Sequence, residues 1–232
     1  MAIKKFCVIG LGHFGLNLAL RLTEEGGEVI AIDKDQDRVD LVSESVVYAV
    51  RMDSTDQRAL RSLDVQDMDA VIVAIGEGFE DSIMTTAALQ EIGVKKIINR
   101  ITSPVHERLL RLMGIEELLV PEAEAASHLA NRLLMPGIIE SFELTKDYGI
   151  YEIEAPDKFV GKKLIDLDLR SKYRINVVTI KRIVRKKGFL SLGETSETEI
   201  TGVPDPKEEI KEKDILVLFG REENIRALIN KS

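Results

Sequence analysis

Residues 5–15, KFCVIGLGHFG, decide the fold. Phe6 to Ile9 form an apolar, partly β-branched run that suits a buried strand. Gly10-Leu11-Gly12-His13-Phe14-Gly15 follows it at once as a GxGxxG pattern. In such a pattern the first glycine permits the tight turn, the second lets backbone approach a pyrophosphate, and the third allows close strand–helix packing. The pattern is weak alone; at the end of a strand and the start of a helix it predicts a phosphate cradle. Free N–H groups and the positive end of the helix dipole would meet the phosphates there. Eighteen residues after Gly15, Asp33 ends the run EVIAID, where a carboxylate can accept from both ribose hydroxyls. An aspartate there also disfavours a 2′-phosphate, which argues against NADP.

The surrounding sequence agrees. Strand-like runs at 5–10, 28–33, 46–50, 70–75, 95–99 and 118–120 alternate with helical stretches at 14–26, 35–45, 56–64, 79–92 and 104–113. Short, continuously apolar strands separated by helices imply a parallel sheet covered on both faces. The expected class is α/β, a Rossmann-type doubly wound sheet. Residues 121–135 read as a further helix, with Pro121 at its start and Glu122 and Glu124 in its first turn, where the dipole favours acids. Pro136-Gly137 breaks it, which sets the expected domains at 1–137 and 138–232. The second part reads as a small α+β unit, with strands at 142–145, 149–154, 175–184, 189–192 and 215–219 and helices at 162–173 and 221–230. Residues 193–213 are polar and turn-rich and read as a long exposed connection.

Charge narrows the function. Residues 1–136 carry 14 Lys+Arg against 22 Asp+Glu, and residues 137–232 carry 18 against 18. An acidic N-terminal half argues against nucleic acid, whose phosphates demand positive surface. The basic cluster Lys181, Arg182, Arg185, Lys186, Lys187 suits a charged strand end and hairpin turn. No apolar stretch approaches the roughly 18 to 20 residues of a membrane span. The start MAIKKFCVIG runs straight into the glycine motif, so no secretion signal is expected. The single cysteine, Cys7, sits in the apolar run as a buried thiol. Together these place the chain in the cytoplasm.

Further candidates fall at strand ends, because ligands bind outside the carboxyl ends of such strands. Asp53-Ser54 follows the third strand and Ile75-Gly76-Glu77 the fourth, able to offer edge hydrogen bonds and an apolar wall to adenine. Arg100 ends the fifth, where an arginine either faces phosphate or lies on the surface. A dehydrogenase would need an acid/base from a second domain. All three histidines (His13, His106, His128) lie in the first part, and no CxxC, nucleophile elbow or lysine P-loop is present. The chain is expected not to be an enzyme.

FCVIGLGHFG, the AID of strand two, MDSTD, VIVAIG, PEAEAASHLA and VGKKLIDLDLRSKYRINVVTIKR together resemble the RCK (regulator of potassium conductance) family, above all the cytoplasmic subunits of Ktr/Trk potassium-uptake systems. The resemblance spans essentially the whole chain. It implies a homodimer built on the first domains, assembled as an octameric ring on a membrane potassium translocator, peripheral on the cytoplasmic face. It also implies ATP and ADP, and often NAD(H), competing for the cleft. Carried over by position, the contacts are His13, Asp33, Lys34, Asp35, Asp53, Ser54, Ile75, Gly76, Glu77, Arg100, Ile101, Thr102, His106 and Glu122. His106 either reaches the phosphates or faces solvent from its helix. Glu122 either helps hold a divalent or monovalent cation between nucleotide phosphates or compensates the helix dipole. ATP-responsive members often carry arginine at the position of His13, whose imidazole is only partly charged near neutrality; ADP, NAD(H) and AMP-type ligands stay open. Some relatives bind cyclic di-AMP through their second domain. The matching residues are Ile165, Leu169, Arg170, Asn176 and Val177, of which Ile165, Leu169 and Val177 equally suit a dimer core.

Overall fold

The computed structural model describes residues 2–134, 137–187 and 194–230. The chain forms two compact units, Met1–Ala123 and Glu124–Ser232.

In the first unit, β1 (Lys5–Ile9), β2 (Glu28–Asp33), β3 (Tyr48–Arg51), β4 (Ala70–Val73), β5 (Ile97–Arg100) and β6 (Glu117–Leu119) form one sheet in the order β3-β2-β1-β4-β5-β6. Every pairing is parallel. Strand alternation sends Cys7, Ile9, Val71 and Val73 into one core with Leu60 and Leu89. Val8, Ala70 and Ile72 go to the opposite face with Ala19 and Val39. Both faces are therefore dry, as a parallel sheet requires. The helices α1 (His13–Glu24), α2 (Gln36–Asp40), α3 (Gln57–Arg61), α4 (Phe79–Ile92) and α5 (Pro104–Leu112) connect the strands. Strand order reverses between β1 and β4, and a doubly wound sheet leaves its ligand crevice at such a point.

Three of these helices have a side-chain oxygen on their first-turn amides. Asp35 accepts from Asp37 N–H at 3.0 Å, Asp56 from Arg58 N–H at 2.8 Å, and Ser103 from His106 N–H at 3.2 Å. α1 has Gly12 before it, no side-chain cap and no acid in its first turn.

The helix α6 (Pro121–Leu134) runs through the division between the units, with no buried residue. The second unit contains β7 (Ile138–Glu143), β8 (Tyr148–Glu154), α7 (Leu164–Leu167), α8 (Leu169–Tyr173), β9 (Asn176–Lys187), β10 (Glu194–Ile200), β11 (Ile215–Arg221) and α9 (Glu222–Asn230). Its sheet has the order β10-β9-β11-β8-β7, antiparallel throughout. Ile153, Ile180, Ile210, Leu216, Leu218, Ile225 and Leu228 build its core.

Two expectations are corrected here. The helix expected at 162–173 is two short ones, because Asp168 between them adopts φ +47°, a conformation no α-helix continues through. The expected connection at 193–213 contains β10, paired with β9 from Glu194↔Lys187 to Ile200↔Lys181. The expected strand 189–192 lies outside the described residues. Among the described residues no helix is long and apolar enough to cross a membrane.

Candidate functional site

Beyond the carboxyl ends of β1, β2, β4 and β5 lies a cleft of about 400 Å³, within the usual span of about 300–1,000 Å³ for small-molecule sites. Its floor is the glycine turn. Gly10 has φ +92°, and an added Cβ would lie 3.0 Å from Ile75. At Gly15 a Cβ would sit 1.9 Å from the Gly10 carbonyl oxygen, so that glycine is obligatory for α1 to pack on β1. Gly12 differs. Its φ of −61° suits any residue, and a Cβ there would meet nothing nearer than Arg38 Nη1 at 4.0 Å. The fold explains two of the three glycines, and Gly12 stays bare where the open first turn of α1 faces the cleft.

Asp33, 6% exposed, closes the end of β2. Its Oδ2 accepts from Leu11 N–H at 2.6 Å and its Oδ1 from Asp35 N–H at 2.9 Å. The carboxylate thus fixes the glycine turn, and its remaining lone pairs can still accept from a ribose. Lys34 donates to Asp81 at 2.8 Å, and that partner, with Asp33 and Asp53, holds the ammonium above its usual range. Asp53 is held below the usual carboxylate range by the Thr55 N–H at 2.9 Å and then the Thr55 hydroxyl at 2.7 Å. The Ser54 hydroxyl shares a 2.8 Å hydrogen bond with Thr85. Ile75, Gly76 and Glu77 form the wall after β4, and Arg100 enters from the end of β5.

The N-terminal part of the chain, residues 6–121, matches the TrkA-N domain, and residues 149–232 match the TrkA-C domain. Over 217 residues the chain is 37% identical to Ktr system potassium uptake protein C of Bacillus subtilis (strain 168), covering 94% of this chain and 92% of that one. The chain belongs to the Ktr/Trk family of potassium-uptake proteins. Its fold is that of the GsuK RCK domain (TM-score 0.58, 18% identity, covering 98% of this chain and 47% of that one). The NAD(P)-binding domain of an exopolyphosphatase-related protein from Archaeoglobus fulgidus aligns with TM-score 0.50 and 26% identity, over 56% of this chain and 96% of that one.

In this family member the cleft gathers Gly10, Gly12, His13, Asp33, Lys34, Asp53, Ser54, Ile75, Gly76, Glu77 and Arg100 from the residues expected from sequence. The others stand off it. Phe14 lies against Arg100, its ring centroid 5.9 Å from the guanidinium carbon. Gly15 is packed on Gly10, and Asp35 caps α2. Ile101 is buried with Leu110 and Ile115. Thr102 turns its N–H and hydroxyl to His106 Nδ1, at 3.4 and 3.2 Å. His106 neither lines the cleft nor faces solvent: it is fully buried, edge-on to Phe79 at 5.3 Å between centroids, and burial pushes its pKa down. Glu122 pairs with Arg100. Among the described residues no group of three or more His, Cys, Asp or Glu side chains could hold a metal ion.

Of the second-ligand candidates, Leu169 is buried in its own unit's core and cannot line an open site there. Ile165 is 62% exposed, Arg170 and Asn176 are exposed, and Val177 is half-buried. Sequence reasoning missed Arg38 and Asp81, which both border the cleft. Both sit within a helix's first turns, after the strand-end residues that the motif points to. The salt bridge between Lys34 and Asp81 spans 47 residues of sequence, which no local pattern signals.

Proposed function

We propose that this chain is the nucleotide-sensing regulatory subunit of a Ktr/Trk-type potassium-uptake system, without a catalytic step of its own. It binds an adenine nucleotide, ATP/ADP or NAD(H), in the cleft of the first unit. It pairs as a homodimer and assembles as an octameric ring on the cytoplasmic face of a membrane potassium translocator, where the bound nucleotide sets how readily potassium passes. The observation that carries the binding step is the first turn of α1, uncapped and fronted by a glycine that the fold itself does not require. α2, α3 and α5 each have a first-turn amide held by a side-chain cap, and α4, uncapped, carries Glu80 and Asp81 in its first turn; α1 has neither a cap nor an acid there, which suits its amides to an anion. Family membership and the likeness to an NAD(P)-binding domain support the same ligand class. A switch of this kind requires the ligands to bind two states with different affinity.

The test is calorimetric titration of ATP, ADP, NAD and NADH into wild type and Gly12→Ala. Saturable binding in wild type, weakened about tenfold or more by the added methyl while stability stays within about 1 kcal/mol, is the expected result. Unchanged affinity in Gly12→Ala would remove the glycine turn from the binding site. No binding of any of the four would leave a scaffold, not a sensor.

A further inference from the structure

Behind the wall of the cleft, three polar side chains are buried without full hydrogen bonding. Ser82 is 1% exposed, and Asn99 and His106 are fully buried. Among the described residues, Ser82 Oγ, Asn99 Oδ1 and His106 Nε2 have no hydrogen-bond partner. Leaving a buried donor or acceptor unmade is costly, and native proteins leave few of them. These three are not scattered. Phe79, Ser82 and Thr86 follow one another along one stripe of α4, because residues three and four apart are neighbours on a helix. At the first of them the Phe79 ring meets His106 of α5, with centroids 5.3 Å apart. At the last, the Thr86 hydroxyl accepts from Asn99 Nδ2 of β5 at 2.8 Å and donates to the Ser82 carbonyl at 2.7 Å. Ser82 sits between the two contacts, so the unpaired atoms of α4, β5 and α5 converge on one junction.

Their chemistry selects what fits there. His106 Nδ1 accepts from Thr102 N–H at 3.4 Å, so the neutral ring carries its proton on Nε2, which is a donor. Asn99 commits its Nδ2 to Thr86, which leaves Oδ1 as an acceptor. Ser82 Oγ can do either. A cation at the junction would face the Nε2–H, and an anion would face Asn99 Oδ1. A neutral molecule that both donates and accepts suits all three, and buried waters typically make about three bonds to groups otherwise unsatisfied. We propose that one ordered water molecule belongs at the junction of α4, β5 and α5, accepting from His106 Nε2–H and the Ser82 hydroxyl and donating to Asn99 Oδ1. The water gives the start of α5 a polar tie to α4, whose first turn carries Asp81 to the border of the cleft. His106 is thereby held neutral in one tautomer, as a structural donor. This site stands whatever the cleft binds.

The experiment is a crystal structure of the full chain, refined finely enough to place ordered water and repeated after a rubidium soak, with heteronuclear NMR of the histidine rings in solution. The expected result is one peak within about 2.6 to 3.2 Å of Ser82 Oγ, Asn99 Oδ1 and His106 Nε2 together. Rubidium should leave it unchanged, and the neutral His106 ring should carry its proton on Nε2. A peak that rubidium replaces makes this a cation site and overturns the proposal. So does a junction without a peak, or separate waters on the separate atoms, or a ring protonated on Nδ1. Ser82→Val tests the tie, because its methyl groups occupy the position of the water. The peak should be lost, and amide hydrogen exchange at the start of α5 should speed up about tenfold or more. Exchange that stays at the wild-type rate after the peak is lost overturns the tie between α5 and α4. If Ser82→Val does not fold, the same exchange reading on His106→Phe, which removes the donor, decides the tie, and the wild-type readings decide the site.

Discussion

Asp33 and Asp214 are both almost fully buried carboxylates, 6% and 1% exposed, one in each unit. Their surroundings differ. Asp214 faces the fork of Arg182, which donates from Nε at 2.8 Å and Nη2 at 2.7 Å, and it also accepts from Lys211 N–H at 2.9 Å. Its charge is neutralised in place, and Asp214 is the first cause holding Arg182 above its usual range. Asp33 is held by two backbone amides, and the nearest guanidinium, that of Arg38, is 3.8 Å away. Buried charge alone therefore marks no functional site. The closed, bidentate pair holds a sheet together, while the amide-held carboxylate keeps acceptor capacity toward an open cleft.

The largest effect should come from the turn that Asp33 fixes. Gly15→Ala places a methyl 1.9 Å from a backbone oxygen that cannot move without breaking the turn. It should cost about 3 kcal/mol or more in urea unfolding. Gly26→Ala is the control: its φ is +87° but the space around it is open, so about 1 kcal/mol is expected. Equal losses at the two positions would mean that the turn gives way around the added methyl and that packing of α1 on β1 does not make Gly15 necessary.

Next in size is the comparison itself. Asp214→Ala removes both bidentate bonds of Arg182, leaving Glu208 at 3.6 Å, and should destabilise by about 3 kcal/mol, at the low end for a broken buried pair. The reason is that Arg182 keeps 22% exposure. ADP affinity should stay at the wild-type level. Asp33→Asn should do the reverse, lowering ADP affinity about tenfold through the lost acceptor charge, with a smaller loss of stability. If Asp214→Ala weakened ADP binding as much as Asp33→Asn, the contrast between the two carboxylates would not hold.

The sequence was most legible where structure is local and periodic. The apolar runs of β1, β2 and β4 and the glycine turn carry their own geometry, because both faces of a parallel strand must be apolar and the turn must be glycine. The second unit was harder. β10, ETSETEI, has no apolar alternation to separate it from a loop, and only its pairing with β9 makes it a strand. The break at Asp168 was hidden because an aspartate at φ +47° looks in sequence like any polar helix residue. The cleft residues at strand ends follow from topology. Arg38 and Asp81 do not, since each reaches the cleft from a helix whose rotation the motif does not specify. His106 shows the same limit. Its helix stripe fits either an exposed or a buried face, and the packing of Phe79 decided for burial.

That buried imidazole gives the smallest effect and the third kind of titratable group, one held neutral. Neither a counter-charge nor a charged state in the cleft supports it. Burial is the one cause that moves its pKa, and it moves it below the ordinary 6.5. As pH falls, the unfolded chain therefore takes up the proton before the folded one does. The stabilisation is complete above 6.5 and is lost as pH drops through the lower folded value, so urea midpoints should decline from about pH 7 toward about pH 5. Nδ1 already accepts from Thr102 N–H, so a proton there must also break that hydrogen bond. His106→Asn should flatten the decline relative to wild type. The two remaining histidines, His13 and His128, are exposed. A decline that persists unchanged in His106→Asn would leave burial of this imidazole without the role given to it here.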